Sequence, residues 1–343
     1  MDTHSVKNIL VVRTDRIGDV ILTLPMLSVL HRNFPSARIA IMVRPYTKEL
    51  VERHPAVSDV LLLKDNAERS FFRMVRQLRE KKFDIAILPY PRFTLALMFF
   101  LAGIPVRVGT GYRWYSFFFN RKIYEHRKIA QKHEAEYNLN LLTALGIDIG
   151  GKPDFTFSCS PESTEKVNAI LSSDGLREHQ FAILHAGSGG SARDWPLENF
   201  ARLGDALQTE FNLPIVLTGG ANEKELLSTL EGKMHTRPVN YAGRFTLGEL
   251  GALIQKAGLF VSNSTGPLHI ASMVGTPVVA FYPPILQCSP VRWGPYTDKK
   301  IVFTANNVLC PLCKGNPCQA SVCMEQITVE RVIDGIGSLL GKN

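Results

Sequence analysis

The sequence predicts an α/β fold in two parts, each a parallel sheet covered by helices on both faces. Three observations predict it. Short apolar runs without polar alternation recur between helical segments, the pattern of strands buried on both faces. That pattern starts at Ile9 and begins afresh at Phe181. Between the two sets, residues 148–163 are rich in Gly, Pro and Ser and read as a linker. A chain of 343 residues is long enough to give each part a full core.

In the first part, Ile9, Leu10, Val11 and Val12 form the opening strand. The segment Arg13-Thr14-Asp15-Arg16-Ile17-Gly18-Asp19-Val20 then leads into a helix through about Arg32, with Val20, Leu24, Leu27 and Leu30 on one face. Gly18 permits a tight turn. Asp19 stands near a helix start, where a negative charge is favourable. It also stands just past a strand end, where open α/β sheets bind ligands, and is a candidate general base. Further strands are expected at residues 38–43, 57–63 and 83–88, and helices at 46–53, 71–81 and 93–102. The second of these helices turns Phe72, Val75 and Leu78 inward. Residues 134–145 read as a helix stopped by Gly146.

Charge is unevenly distributed. The formal net charge is +8; residues 1–155 carry +9 and residues 156–343 carry −1. An anionic partner therefore meets the first part. Arg107, Arg113, Arg121, Lys122, Arg127, Lys128 and Lys132 are interleaved with Tyr112, Trp114, Tyr115, Phe117, Phe118 and Phe119. Such a stretch suits a nucleic acid, an acidic lipid surface or a solvated loop. No nucleic-acid-binding motif accompanies it, which favours a phosphorylated lipid over nucleic acid. The longest apolar run, residues 95–104, is too short to span a bilayer, and no secretory signal opens the chain. A cytoplasmic location is the expectation.

The second part opens with a strand at residues 181–184, followed by His185-Ala186-Gly187-Ser188-Gly189-Gly190-Ser191-Ala192-Arg193-Asp194-Trp195-Pro196. Small residues let backbone approach an anion, and Arg193 can neutralise phosphate oxygens; the alternative is a plain surface loop. The strand at 214–218 ends in Gly219-Gly220-Ala221-Asn222-Glu223, where a carboxylate can accept ribose hydroxyls or simply begin the next helix. Phe245 precedes a helix at 247–256. Residues 259–261 are a strand, and Ser262, Asn263, Ser264, Thr265 and Gly266 break it. Pro267 suits the first turn of a short helix that Gly275 and Pro277 end, before a strand at 278–281. This loop delivers backbone N–H groups and two hydroxyls to a positive helix end, an arrangement that suits phosphate. His269, on the first turn, can reach the same spot. The alternative is a Ser/Thr-capped helix of no special function. No GxGxxG follows the first strand, which argues against a dinucleotide-dependent oxidoreductase. Cys310, Cys313, Cys318 and Cys323 are spaced closely enough to be candidate ligands of a structural zinc or iron–sulfur cluster, though not in zinc-ribbon spacing.

Several of these segments resemble one family. STGPLHIAS with VGTPVVAFYPP, the opening RTDRIGDVILTLPML, HAGSGGSARDWP, the Gly-Gly…Glu turn, and Cys323-Met324…Ile327…Val332 are similar to signatures of the ADP-heptose:lipopolysaccharide heptosyltransferases, glycosyltransferase family 9. The resemblance implies the GT-B fold: α/β, with two doubly wound Rossmann-like domains facing a cleft. It implies an acceptor-binding domain at 1–155, a nucleotide-sugar domain at 156–324, and a last helix at about 325–343 packing back on the first domain. Asp19 matches the family's catalytic base. Gly187, Ser188, Arg193, Ser264, Thr265, Gly266 and His269 match its diphosphate loops, Glu223 its ribose contact and Phe245 its base contact. Arg13, Arg16 and Arg113 are the candidates for holding an anionic acceptor.

The implied reaction is inverting, metal-independent transfer of heptose from ADP-L-glycero-D-manno-heptose to a lipopolysaccharide core or related anionic glycolipid, with no cofactor required. The partners are then a nucleotide sugar, a lipid-linked saccharide and the cytoplasmic surface of the inner membrane, where the protein would be peripheral. Ser264 stands where many members carry Asp. That departure leaves open another sugar nucleotide or a different acceptor, and, in another class, a sugar-nucleotide-binding protein without catalysis.

Overall fold

The structure, a computed structural model, describes residues 5–64, 67–190, 193–305 and 322–341. The chain divides into two compact units, with the break between Ser158 and Cys159. The sheet of the first unit comprises β1 (Asn8–Val12), β2 (Arg38–Val43), β3 (Asp59–Leu62), β4 (Ile85–Ile87), β5 (Val106–Thr110) and β6 (Arg121–Ile123), in the order β3-β2-β1-β4-β5-β6. The second unit comprises β7 (Ala182–His185), β8 (Ile215–Leu217), β9 (Val239–Asn240), β10 (Leu259–Asn263), β11 (Val278–Tyr282) and β12 (Lys300–Thr304), in the order β12-β11-β10-β7-β8-β9. Every pairing is parallel.

Counted from its own first strand, each sheet has the same order. The chain winds from the first strand to one edge, then returns to the other side. This leaves a switch point beside β1 and β4 in one unit, and beside β7 and β10 in the other, where the loops diverge and leave room for a ligand. Central strands are buried on both faces, which is why their sequences lack alternation. Register sets small against large: Leu10 lies between Ala40 and Ala86, and Val261 between Leu184 and Val279.

Several elements depart from the sequence expectation. Strands β6, β9 and β12 lie at the sheet edges, and β6 and β9 are short; β6 falls inside the stretch read as a basic, aromatic loop. The expected helix at 46–53 is a 3-10 turn, Pro45–Leu50. In the helix Ala67–Glu80, Met74, Val75 and Leu78 are buried while Phe72 is exposed. Steps of three residues drift around a 3.6-residue turn, so the inward stripe runs through Phe71 rather than Phe72.

The last helix, Val329–Leu339, belongs to the second unit, not the first as expected. Its Val329, Val332 and Ile336 are fully buried in the core that also holds Leu203, Leu207 and Phe303. The helix packs on Leu197–Thr209 and on β12. Its apolar stripe thus finds a partner within its own unit, and Arg202 pairs with Glu330 at 2.5 Å alongside. Of the four clustered cysteines, Cys310, Cys313 and Cys318 lie outside the described residues. Cys323 is buried in the second unit's core.

Candidate active site

In the first unit, β1 runs directly into Arg13, whose N–H still bonds Met42 O at 2.9 Å. Its side chain is 1 % exposed. A buried guanidinium needs its charge and its five donors satisfied. Here Nε donates to Asp15 at 2.8 Å, Nη1 to Asn138 at 3.0 Å, and Nη2 to Asp19 and, at 3.5 Å, to Glu134. Arg127 joins the same group, donating to Glu134 at 2.5 Å and Asn138 at 3.0 Å.

Asp19 lies in the first turn of the short helix Ile17–Ile21. That helix breaks at Leu22–Thr23 before resuming as Leu24–Asn33. Asn138 fills the break, donating to Leu22 O at 2.9 Å, and Thr23 Oγ1 donates to Asp19 O at 2.8 Å. The loop between strand and helix is braced outside by Tyr46 to Asp15 O (2.7 Å) and Arg44 to Thr14 O (2.8 Å). Asp19 is thereby fixed at the carboxyl edge of the sheet, partly open to solvent. Burial pushes the Asp15 carboxyl up to about 6, against the pull of Arg13 and with the added repulsion of Asp19.

Arg13 is therefore the support of Asp19 rather than an acceptor contact, since its buried guanidinium is taken up by Asp15, Asp19, Asn138 and Glu134. Arg16 and Arg113 are exposed; Arg113 lies after β5, two strands from β1 in the sheet. Sequence reading missed Asp15, Asn138, Glu134 and Arg127 in this group. Only Asp15 carried a signal, its place inside the motif already noticed around Asp19.

In the second unit, the loops after β7, β8, β9 and β10 emerge at adjacent strand ends. Asn263, fully buried at the end of β10, ties two of them together. Its Oδ1 accepts the Trp195 N–H at 2.8 Å and its Nδ2 donates to Ala186 O at 2.6 Å. One side chain thus holds both ends of the Gly187–Asp194 loop beside Ser264, Thr265 and Gly266. Trp195 is the anchor: its ring stacks on Phe281 at 4.2 Å and its Nε1 donates to Ile327 O at 2.8 Å. Arg193, half-buried, projects from the held end of that loop.

The helix Gly266–Met273 begins at Thr265, extended at φ −146° and ψ 167°, whose side chain makes no capping hydrogen bond. The first backbone N–H groups, with the positive helix end, thus have no hydroxyl closing them off. His269 is buried one turn in. Ser264 is hydrogen-bonded to Tyr282, whose hydroxyl also donates to Trp293 O at 2.6 Å.

Glu223 lies between the other two loops. Its Oε2 accepts the Gly220 N–H at 2.8 Å, and a Cβ on Gly187 would fall 2.0 Å from its Oε1. Gly187 is needed for that close approach. The Asp194 carboxyl lies near Ser188 and Glu223; desolvation pushes it up to about 6 although the Ser188 hydrogen bond resists. His185 hydrogen-bonds Thr218 at 2.9 Å beneath the cluster, and complete burial pulls it down to about 4. Phe245, partly exposed, stands edge-on to Tyr241 at 5.2 Å in the loop after β9. That loop closes on the Glu223 turn through Gly243 N–H to Gly219 O at 2.8 Å. The structure therefore brings Gly187, Ser188, Arg193, Glu223, Phe245 and Ser264–Gly266 to one edge of one sheet. Among the described residues no group of three His, Cys, Asp or Glu is placed to hold a metal ion, and no helix is long and apolar enough to cross a membrane.

Two sheets of identical winding, one with a braced carboxylate at its switch point and the other with two loops joined by Asn263 beside a helix start, are the parts of a GT-B glycosyltransferase. The chain belongs to glycosyltransferase family 9 (heptosyltransferase), whose sequence model matches residues 71–323. It is 27 % identical over 300 residues to lipopolysaccharide heptosyltransferase 3 of Escherichia coli, covering 84 % of this chain and 86 % of that one. Against lipopolysaccharide heptosyltransferase 2 of Salmonella typhimurium it is 26 % identical, with 97 % and 99 % covered. The crystal structure of a family 9 glycosyltransferase from Veillonella parvula superposes with a TM-score of 0.87 at 25 % identity, covering 100 % of this chain and 99 % of that one. E. coli heptosyltransferase WaaC with bound ADP shares the fold, at a TM-score of 0.74 and 20 % identity over 97 % and 99 % of the two chains.

Proposed function

We propose that this glycosyltransferase moves a heptose from ADP-L-glycero-D-manno-heptose to a lipopolysaccharide core or related anionic glycolipid, with inversion at the anomeric carbon. The observation that carries the proposal is the pairing of Asn263 with both ends of the Arg193 loop. It ties the loop that carries Arg193 to the strand from which the helix Gly266–Met273 follows, and a guanidinium with a helix N-terminus is what a departing diphosphate requires. Relatives named lipopolysaccharide heptosyltransferases, and a neighbour solved with ADP-2-deoxy-2-fluoro heptose, support the donor and acceptor classes.

In the proposed step, Asp19 accepts the proton of the acceptor hydroxyl as that oxygen attacks the anomeric carbon. The bond to the diphosphate breaks as the new one forms, and ADP leaves with the electron pair. Arg193, the N–H groups at Thr265–Gly266 and His269 stabilise the charge that accumulates on it. Glu223 receives the ribose hydroxyls, and Phe245 packs on the base. Arg16 and Arg113 bind acceptor phosphates. These cationic groups do the work that a divalent ion performs elsewhere, so no cofactor enters the step. A lipid-linked acceptor would bring the protein to the cytoplasmic face of the inner membrane.

The test is incubation of purified protein with ADP-heptose and lipopolysaccharides truncated before each heptose. Product mass and anomeric configuration are then read. A mass gain of one heptose in the inverted linkage is expected; ADP-heptose binding without product with any acceptor would favour a non-catalytic binding protein.

A second reading rests on Ser264. Its hydroxyl is engaged with Tyr282 and offers no carboxylate where the family signature that this segment resembles carries Asp. A donor carrying a different sugar, or a different glycan acceptor, fits that change. Turnover of ADP-hexoses exceeding that of ADP-heptose would select it.

A further inference from the structure

The first unit carries an aromatic face that its own core does not use. Trp114 is 74 % exposed and Phe117 63 %, with Phe93 and Phe100 exposed beside them. These rings form one contiguous group. Phe93 stacks on Trp114 at 5.1 Å, and the buried Phe118 ring touches Phe93, Phe100 and Phe117 at 6.1, 5.3 and 4.3 Å. Contiguous exposed apolar surface of this kind marks an interaction site.

The face is held in shape. Arg107 donates to Phe118 O at 2.6 Å and Ile104 O at 2.5 Å, and lies over the Phe100 ring. Ser116 Oγ donates to Thr110 O at 2.7 Å and accepts the Arg113 N–H at 3.0 Å. Trp114 and Phe117 are thus presented by a braced turn between β5 and β6, beside Phe93 and Phe100 on the helix Phe93–Leu101.

Charge identifies the partner. From Ile85 to Tyr124 the chain has no Asp or Glu, but it has Arg92, Arg107, Arg113, Arg121 and Lys122. Arg92 directly precedes Phe93, and Arg113 directly precedes Trp114. Bulky aromatic rings flanked by arginines, with no acid among them, match the layered chemistry of an anionic bilayer surface: apolar below, negatively charged above. We propose that this face seats the enzyme on anionic phospholipid, with Trp114 and Phe117 entering the headgroup–acyl boundary. The proposal deepens the reading of a lipid-linked acceptor and rests on it only for purpose; the docking itself involves no substrate.

The experiment is co-sedimentation of the full chain, without substrate, with vesicles of phosphatidylcholine alone or of equal parts phosphatidylcholine and phosphatidylglycerol. Binding to the mixed vesicles, lost in high salt and accompanied by a blue shift of tryptophan emission, is expected. The double variant W114A/F117A should reduce partitioning at least about tenfold, since each buried ring contributes apolar transfer energy. Because both rings are exposed, the variant should keep the circular dichroism of the parent and its turnover of a delipidated, soluble acceptor saccharide. Retained turnover separates failure of docking from failure of the proposed reaction. The proposal is overturned if the parent stays in the supernatant with the mixed vesicles, or if the variant partitions equally. Loss of self-association in the variant, with vesicle binding unchanged, also overturns it and assigns the face to a second copy of the chain.

Discussion

Arg13 and Asp19 are joined by a hydrogen bond from a guanidinium that has almost no contact with water. The same guanidinium holds Asp15, Asn138 and Glu134. The proposed base therefore points where a six-membered polar group aims it, and not where solvent leaves it.

Asp19→Asn keeps the shape and removes the proton acceptor. It should lower kcat by about 10²- to 10⁴-fold while leaving ADP affinity near normal, since the proposed nucleotide site lies in the other unit. Arg13→Lys keeps the charge but loses the planar fork, and should lower kcat by about tenfold or more with a milder change in donor KM. Steady-state kinetics with ADP titration checks both. An Asp19→Asn enzyme with near-normal turnover would remove Asp19 from the reaction.

Gly187 lies against Glu223 more closely than any side chain allows. Gly187→Ala should push the Glu223 carboxylate aside and weaken ADP binding by about 1–3 kcal/mol, the scale of a lost charge-assisted hydrogen bond. Isothermal titration measures it. The melting temperature should change little, because Glu223 is only partly buried. Unchanged ADP affinity would exclude Glu223 from the nucleotide site.

Arg193 is the proposed neutraliser of the leaving diphosphate. Arg193→Gln should reduce kcat/KM by about 10²- to 10³-fold, the range for removing one stabilising donor from developing charge. Activity of the parent enzyme should survive excess EDTA, because side-chain and backbone donors carry the charge. A chelator-sensitive rate restored by added magnesium would contradict this.

His185 is buried and neutral, with its titration drawn down to about 4. The sign follows from linkage: the folded state binds the proton less readily than the unfolded one. The contribution is therefore complete above about pH 6.5 and is lost as pH falls towards 4. It amounts to at most about 3 kcal/mol. Asp15 and Asp194, both raised to about 6, act oppositely, gaining stability over the same acidification and losing it as pH rises through 6. The parent's pH slope is thus a difference. His185→Asn, which can keep the Thr218 hydrogen bond, should lose less stability than the parent between pH 7 and 4. Urea midpoints at both pH values check this; an identical fall in both proteins would exclude His185.

Much of this fold can be read from apolar runs alone, because central parallel strands are buried on both faces and say so in their composition. The edges cannot. β6, with Arg121 and Lys122, looks like any basic loop, and β9 is two residues long. The loops proposed to bind the diphosphate were legible because that role calls for small residues, a cation and a helix start in sequence. Their support was not. Asn138 meets Arg13 from 125 residues away, and nothing local marks Asn263 as the clamp for Ala186 and Trp195. The assignment of Arg13 to the acceptor failed for the same reason: an arginine in a motif gives no sign of whether its partners are buried.

The indole of Trp195 ends its hydrogen bond on Ile327, and the helix that follows completes the core around Leu203 and Phe303. During synthesis the first unit emerges whole once Ser158 has left the ribosome, and domains fold as units in that order. The second unit must instead wait, unfinished, until Val329–Leu339 arrives. A premature stop before residue 327 would therefore leave a first unit able to fold and a second unit whose core cannot be completed.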